Sequence, residues 1–276
     1  GFAHAVGTPA GTNITNTATA NYTVGVIPAT VTSNTVTVKV AEILNVAVTW
    51  QNSPSVLVAP SDTNKVLIFR VTNSGNGSEK YLLSVNTAVV GDNFDPVLAS
   101  VYLDVNADGL YDGGDLLWVS GTNDPVIAAN AYATIFVLSN IPGTVVDGNT
   151  GDLRLTAASS TGSGAGTVIV NGGDGGAIDA VVGATTATQT VTGTYLVSSV
   201  TVSLVKSAVV SGTYGTNPVP GATITYTVTV TVTGTGTAVG VIITDPIPTN
   251  TTYTVGTLKL NAGALTDAGG DDVGDV

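Results

Sequence analysis

From Ile224 to Val232 every second residue is apolar, and every residue between is Thr. Ile224, Tyr226, Val228, Val230 and Val232 therefore share one face of an extended chain. Thr223, Thr225, Thr227, Thr229, Thr231 and Thr233 share the other. A period of two built from β-branched residues dictates a strand with one face toward a core and one toward water. Gly234, Gly236 and Gly240 then punctuate, and a second apolar run, Val239 to Thr244, leads into Asp245-Pro246. This reads as half of a sandwich, and the sequence stops soon after, before the other half is written.

The rest of the chain follows the same pattern. Asn13–Val24 and Ser33–Val40 alternate Thr or Asn with apolar residues around a break at Gly25–Pro28, which reads as a hairpin. A lone two-stranded unit is marginal in water, so this one must add to something else. Further strands are expected at 43–50, 65–71, 79–85, 100–103, 132–138 and 152–157, with Asn73-Ser74-Gly75-Asn76-Gly77 as a turn. Residues 159–193 are rich in Gly, Ser, Ala and Thr, yet apolar runs at 168–170, 178–182 and 188–191 read as short strands rather than a linker. No amphipathic helix is visible. The expectation is an all-β chain of two immunoglobulin-like sandwich domains plus an N-terminal hairpin. The divisions fall at 1–40 (hairpin), 41–194 (first sandwich) and 195–276 (incomplete second sandwich).

Composition removes several functions. The chain has 276 residues and a net charge of −12 with only seven Lys and Arg, which leaves nothing to neutralise a run of phosphates. Nucleic acid and anionic lipid are therefore excluded as partners. Without Cys there are no disulfides, thiolate metal sites or thiol nucleophiles. His4 is the one histidine and falls in a tail, so no His-based triad is expected, and the chain is not read as an enzyme. No window is long and apolar enough for a membrane helix. The absence of Met suggests a processed chain, and Ala3-His4-Ala5 has the small-x-small form of a secretory cleavage site.

One segment has the spacing of a calcium loop: Asp104-Val105-Asn106-Ala107-Asp108-Gly109-Leu110-Tyr111-Asp112-Gly113-Gly114-Asp115. Such loops place oxygen ligands at positions 1, 3, 5, 7, 9 and 12, with Gly at 6 for the sharp turn. Asp104, Asn106 and Asp108 fill 1, 3 and 5, and Gly109 sits at 6. Leu110 offers a carbonyl at 7, and Asp112 and Asp115 stand at 9 and 12. Asp at 12 departs from the usual Glu. The flanks read as strands, so the ion would stiffen a loop that otherwise repels itself. Pairs such as Asp92 with Asp95, Asp147 with Asp152 and Asp174 with Asp179, and the terminal Asp267, Asp271, Asp272 and Asp275, read as solvated turns.

Residues 196–270 resemble the conserved repeat domain of bacterial and archaeal surface proteins known as the domain of unknown function 11 family. The resemblance is carried by Leu204-Val205-Lys206, Pro218-Val219-Pro220-Gly221, 224–230, Gly234-Thr235-Gly236-Thr237-Ala238, 241–248, Thr251-Thr252-Tyr253 and Leu265-Thr266-Asp267. It implies an immunoglobulin-like module of a large exported protein, with no catalytic residues. The family's last hairpin is missing after Asp267. A segment of that form, Ile14-Thr15-Asn16-Thr17-Ala18-Thr19-Ala20-Asn21-Tyr22 followed by Ser33-Asn34-Thr35-Val36-Thr37-Val38, stands at the other end.

The permuted order leads to the functional expectation. Ile14, Ala18, Ala20, Tyr22, Val36, Val38 and Val40 would complete the module of a neighbouring copy, against Ile224, Tyr226, Val228, Val230 and Ile242. The product is a secreted, cell-surface homopolymer. Two alternatives remain open at this level. One is a calcium-stabilised adhesin with a glycan partner stacked on Trp50 or Trp118; the other is a fragment of a longer surface-layer protein.

Overall fold

The computed structural model describes residues 7–174, 177–269 and 273. The Ala3-His4-Ala5 motif and Asp271, Asp272 and Asp275 lie outside these residues. Compactness divides the chain into Gly1–Thr237 and Ala238–Val276.

The first unit opens with β1 (Asn13–Asn16), β2 (Thr19–Val24), β3 (Ile27–Thr32) and β4 (Val36–Lys39). There follow β5 (Glu42–Leu44), β6 (Val46–Trp50), β7 (Val56–Val58), β8 (Lys65–Asn73), β9 (Glu79–Asn86) and β10 (Val97–Leu103). The short β11 (Leu116–Leu117) and β12 (Val126–Ile127) precede β13 (Tyr132–Asn140) and β14 (Thr150–Ser159). Then come β15 (Val168–Ile169), β16 (Ala180–Val182), β17 (Thr188–Val197), β18 (Val200–Ser211) and β19 (Thr223–Gly234). Among its described residues the second unit has β20 (Lys259–Leu260) and β21 (Gly263–Ala264), paired with each other. Among the described residues there is no helix.

Two five-stranded sheets, β11-β10-β13-β8-β6 and β12-β9-β14-β17-β7, form a sandwich. Leaving aside the short β11, β12 and β7, the orders β10-β13-β8-β6 and β9-β14-β17 match strands D-E-B-A and C-F-G of the immunoglobulin arrangement. The first strand is divided between the sheets. Its β6 half pairs antiparallel with β8, and its β7 half crosses to run parallel with the last strand, β17. Alternation sets the register. Leu67, Phe69 and Val71 of β8 and Leu153, Leu155 and Ala157 of β14 point inward, and all six are fully buried. Tyr81 and Tyr195 join them, and each hydroxyl reaches a backbone carbonyl, Asn45 O at 2.8 Å and Lys65 O at 2.8 Å. Burial pushes the Tyr195 phenol up to about 12. A side sheet, β15-β16-β5, closes a small second cluster around Leu44, Ala180, Val182 and Ala187.

Two expectations are corrected. The N-terminal break is only the turn Gly25-Val26; Pro28 lies inside β3, at the edge of a two-stranded ladder where its missing N–H is tolerated. The apolar run 239–244 is not a strand: among the described residues none pairs with it, and Val239 and Ile242 are each 88% exposed. Tyr195, expected to open the second sandwich, lies in β17, the last strand of the first, which runs to Val197; the residues that follow form a ribbon, β18 and β19, joined over their full length. Among the described residues, no hydrophobic side chain beyond Val197 is buried.

Candidate functional site

Two exposed ribbons and one acidic loop stand out from the sandwich. The N-terminal ribbon pairs β1 with β4 and, beyond a bulge at Ser33–Thr35, β2 with β3. Its pairing holds through the bulge, where Ser33 N donates to Ala18 O at 2.8 Å and Ala18 N to Ser33 Oγ at 2.9 Å. Cross-strand partners share a face. In the inner ladder Ile14 lies opposite Val38; in the outer one Ala20 faces Val31, Tyr22 faces Ala29 and Val24 faces Ile27. In the second ribbon Val202 meets Val232, Leu204 meets Val230, Ala208 meets Tyr226 and Val210 meets Ile224, while the other face is Thr and Ser with Val205 and Val209. These apolar faces are in solvent: Tyr22 and Val232 are both 52% exposed and Leu204 54%.

The roots of the ribbons are gripped at opposite ends of the sandwich. Asn76, in the turn after β8, holds the N-terminal ribbon: its Nδ2 donates to Thr8 O and Ala41 O at 3.1 Å, and its carbonyl accepts from Ala10 N at 3.0 Å. An amide so engaged is closed to glycosylation, although Asn76-Gly77-Ser78 has the N-x-S form of an acceptor. Asp147 holds the second ribbon. Its carboxylate accepts from Ser199 N at 2.7 Å, Thr235 N at 2.8 Å and Thr235 Oγ1 at 2.8 Å, and the Ser199 and Thr235 donors keep it below the usual carboxylate range. Asn76 lies beyond the Asn73 end of β8. Ser199 follows Val197, whose neighbour Tyr195 bonds to Lys65 at the other end of β8. The roots are thus separated by the length of the sandwich, about 30 Å for a nine-residue strand.

The acidic loop follows β10. Tyr111 fixes it to the sheet, its ring 5.0 Å from Tyr102 and 6.0 Å from buried Phe136. Asp104 accepts from Ala107 N at 2.6 Å and Gly109 N at 3.0 Å, Asp108 from Leu110 N at 2.8 Å, and Asp112 from Gly114 N at 2.6 Å. Gly109 takes the positive φ (76°) that position 6 demands. Asn106 Nδ2 donates to Asp108 at 3.0 Å and Asp112 at 3.5 Å. The carboxylates face loop amides, and among the described residues no three acidic side chains converge as a metal cluster. The chemistry of the loop nonetheless suits a hard cation. Desolvation, opposed by the Asp112 amide, raises the Asp115 pKa, and Asp112, Asp104 and Asp108 add repulsion. Among the described residues Asp115 Oδ1 is shut off from water and has no hydrogen-bond partner.

Sequence reasoning missed a second acidic group, at the root of the N-terminal ribbon. Glu42 is 2% exposed and Glu79 4%. Glu79 is well satisfied by Ser160 N (2.9 Å), Ser160 Oγ (3.2 Å), Thr161 N (3.3 Å) and Thr161 Oγ1 (2.8 Å). Among the described residues Glu42 has a single donor, Asp174 N at 2.7 Å, and Gly77 packs so close that a Cβ there would sit 2.5 Å from Oε1. Burial raises the Glu42 pKa against that amide, with Asp174 and Glu79 adding like charge. An acid whose folded pKa is raised binds its proton more tightly when folded, so stability is lost as pH rises from its ordinary 4.5 through the folded value. Replacing Glu42 with Gln is expected to raise the melting temperature at about pH 8 and to leave it unchanged near pH 4. Calorimetry across that range checks it; a loss of stability at both ends would show that the charge itself is needed.

The remaining expected sites fall in place without forming a pocket. Trp50 and Trp118 pack against the core instead of presenting a stacking platform, and Trp118 Nε1 donates to Asp124 at 3.0 Å. Asp92 accepts from Asp152 N at 2.6 Å, and Asp179 from Asn171 N at 3.0 Å. In the second unit Asp267 accepts from Tyr253 Oη at 2.8 Å and Gly256 N at 2.6 Å.

No family model matches the chain, and no curated protein matches it. Among solved structures it is similar to the ASH/PapD-like domain of human CEP192 (PapD-like domain 7), with 11% identity, 56% of this chain and 84% of that chain covered, and a TM-score of 0.25. At that score the likeness carries no argument; the immunoglobulin-like reading rests on the strand order.

Proposed function

We propose that this chain is the structural subunit of an extracellular filament or surface assembly, polymerising head-to-tail without catalysis. The observation that supports it most is the pair of exposed amphipathic ribbons rooted at opposite ends of one closed sandwich. Exposed ladders with bare apolar faces are an association liability unless a partner covers them. A contact between unlike ends of identical subunits is heterologous, and when it does not close it propagates as a fibre. The donor is the segment with Ile14, Ala18, Ala20, Tyr22, Val36, Val38 and Val40; the acceptor is the module containing Ile224, Tyr226, Val228, Val230 and Ile242. Electron microscopy of the purified intact chain is expected to show unbranched filaments. A monomer in sedimentation at every concentration would overturn the reading.

In this proposal calcium orders the acidic loop, held by Asp104, Asn106, Asp108, Asp112 and Asp115 with the Leu110 carbonyl. The ion supplies positive charge to four carboxylates that otherwise repel, and this chain's own Tyr111 keeps the loop on the sheet. At calcium one hundred times Kd the folded state gains about 2.7 kcal/mol, a rise in melting temperature of roughly 5–10 °C for a domain of this size. Asp104→Asn combined with Asp115→Asn is expected to abolish the rise; an intact chain indifferent to calcium excludes the site.

A further inference from the structure

We infer that the joint between subunits is a two-layer packing, in which the apolar face of one copy's N-terminal ribbon lies flat on the apolar face of β18–β19 of the next. This rests on the head-to-tail reading and adds which surfaces meet and how.

Three observations single out a second copy as the occupant. The first is charge. The chain carries 19 Asp and Glu, yet residues 7–40 and 200–237 contain none. Copies with a net charge of −12 repel one another, and these two ribbons add no acidic residue to a contact. The second is size. β18 and β19 are twelve residues each, and Asn13–Val24 covers twelve positions, so both ribbons are about 40 Å long. The third is the matched pattern. Each ribbon is apolar on one face and largely Thr, Ser or Asn on the other, and on both apolar faces large side chains such as Tyr22, Val24, Leu204 and Val232 are exposed.

The pattern also decides between flat packing and strand addition. Adding a strand edge to edge satisfies backbone groups but leaves both apolar faces in water. Laying face on face covers Leu204, Tyr226 and Val232 with Tyr22, Val24 and Val31, and turns both Thr-rich faces outward. Lys206 is the one charge on the acceptor's apolar face. Its ammonium already lies 4.3 Å from the Tyr226 ring centroid, so its stem can lie along the joint with the charge held on the aromatic ring.

The chain has no Cys, so introduced thiols report single contacts. Tyr22→Cys is combined in turn with Leu204→Cys, Tyr226→Cys and Val232→Cys, and as a control Asn21→Cys is combined with Thr227→Cys on the polar faces. Mild oxidation of the assembled chains is expected to give covalent ladders from the apolar set and none from the polar pair. In parallel, Leu204→Asp is expected to cut the pelletable fraction about tenfold by placing an unpaired charge in the joint, whereas Thr229→Asp on the opposite face leaves it near that of the unmodified chain. Filaments that form normally with Leu204→Asp, or ladders only through the polar pair, overturn face packing while leaving head-to-tail assembly intact. An unmodified chain that never assembles overturns both.

Discussion

A chain lacking residues 1–40 is expected to remain folded and to lose all assembly. Nothing described in that segment contributes to the core: every residue of β1, β2 and β4 is exposed, and the buried set begins at Glu42 and ends at Val197. What the sandwich loses is the grip of Asn76 on Thr8 and Ala10, surface hydrogen bonds whose net worth is about 1 kcal/mol each. A small drop in melting temperature is therefore expected, with far-UV circular dichroism still of β type. Assembly should fall to nothing, because the acceptor ribbon of each copy has no donor left. Sedimentation velocity separates the outcomes. A single monomer peak supports the reading, and filaments that persist after the deletion refute it. Adding the separate segment 7–40 to the intact chain should also block growth by occupying acceptor ends. The calcium response of the truncated chain is expected to match that of the intact one, since the loop lies on the outer face of a sheet far from either ribbon root in sequence.

Local alternation was enough to place most of the fold. β8 was expected at 65–71 and runs Lys65–Asn73; β13 was expected at 132–138 and runs Tyr132–Asn140. β8 is legible because one face is buried, so period two is imposed residue by residue, whereas β13, buried on both faces from Thr134 to Ser139, reads as a continuous apolar run. Where the ladder partner decides, the pattern is silent. The run 239–244 has the composition of a strand but, among the described residues, no neighbour to pair with. The crossing of the first strand from one sheet to the other is likewise a tertiary event, set by β8 on one side and β17 on the other.

The site was legible to a different degree. The spacing of Asp104 to Asp115 is a local signal, and the turn around Gly109 follows it. Glu42 and Glu79 gave no signal, because a carboxylate in a strand reads as a surface residue until the loops 159–161 and 171–174 fold over it. The same holds for Asn76 and Asp147. As sequence they are ordinary turn residues; only their hydrogen bonds show that each clamps the root of a ribbon.

Phe69→Ala is expected to be the most damaging single change in the subunit, at about 3–5 kcal/mol. Phe69 is fully buried in β8, between Trp50 on β6 and Ile135 on β13. Its ring fills the space opened by Gly193 of the facing sheet, where a Cβ would lie 2.8 Å from Phe69 Cζ and 3.0 Å from Trp50 Nε1. Truncation therefore leaves a void that neither sheet can close without breaking its register. The chain has no disulfide to limit its unfolded state, so the loss falls directly on a total that for such domains is about 5–15 kcal/mol. Urea unfolding followed by tryptophan fluorescence reads it, since Trp50 and Trp118 both pack against this core. Leu204→Ala, on an exposed ribbon, is the matched control, and in unassembled protein it should cost no more than about 0.5 kcal/mol. The contrast separates the forces that make the subunit from those that join subunits. If Phe69→Ala costs under about 1 kcal/mol, the two sheets are not packed as described, and the ribbons lose the rigid body that holds their roots apart.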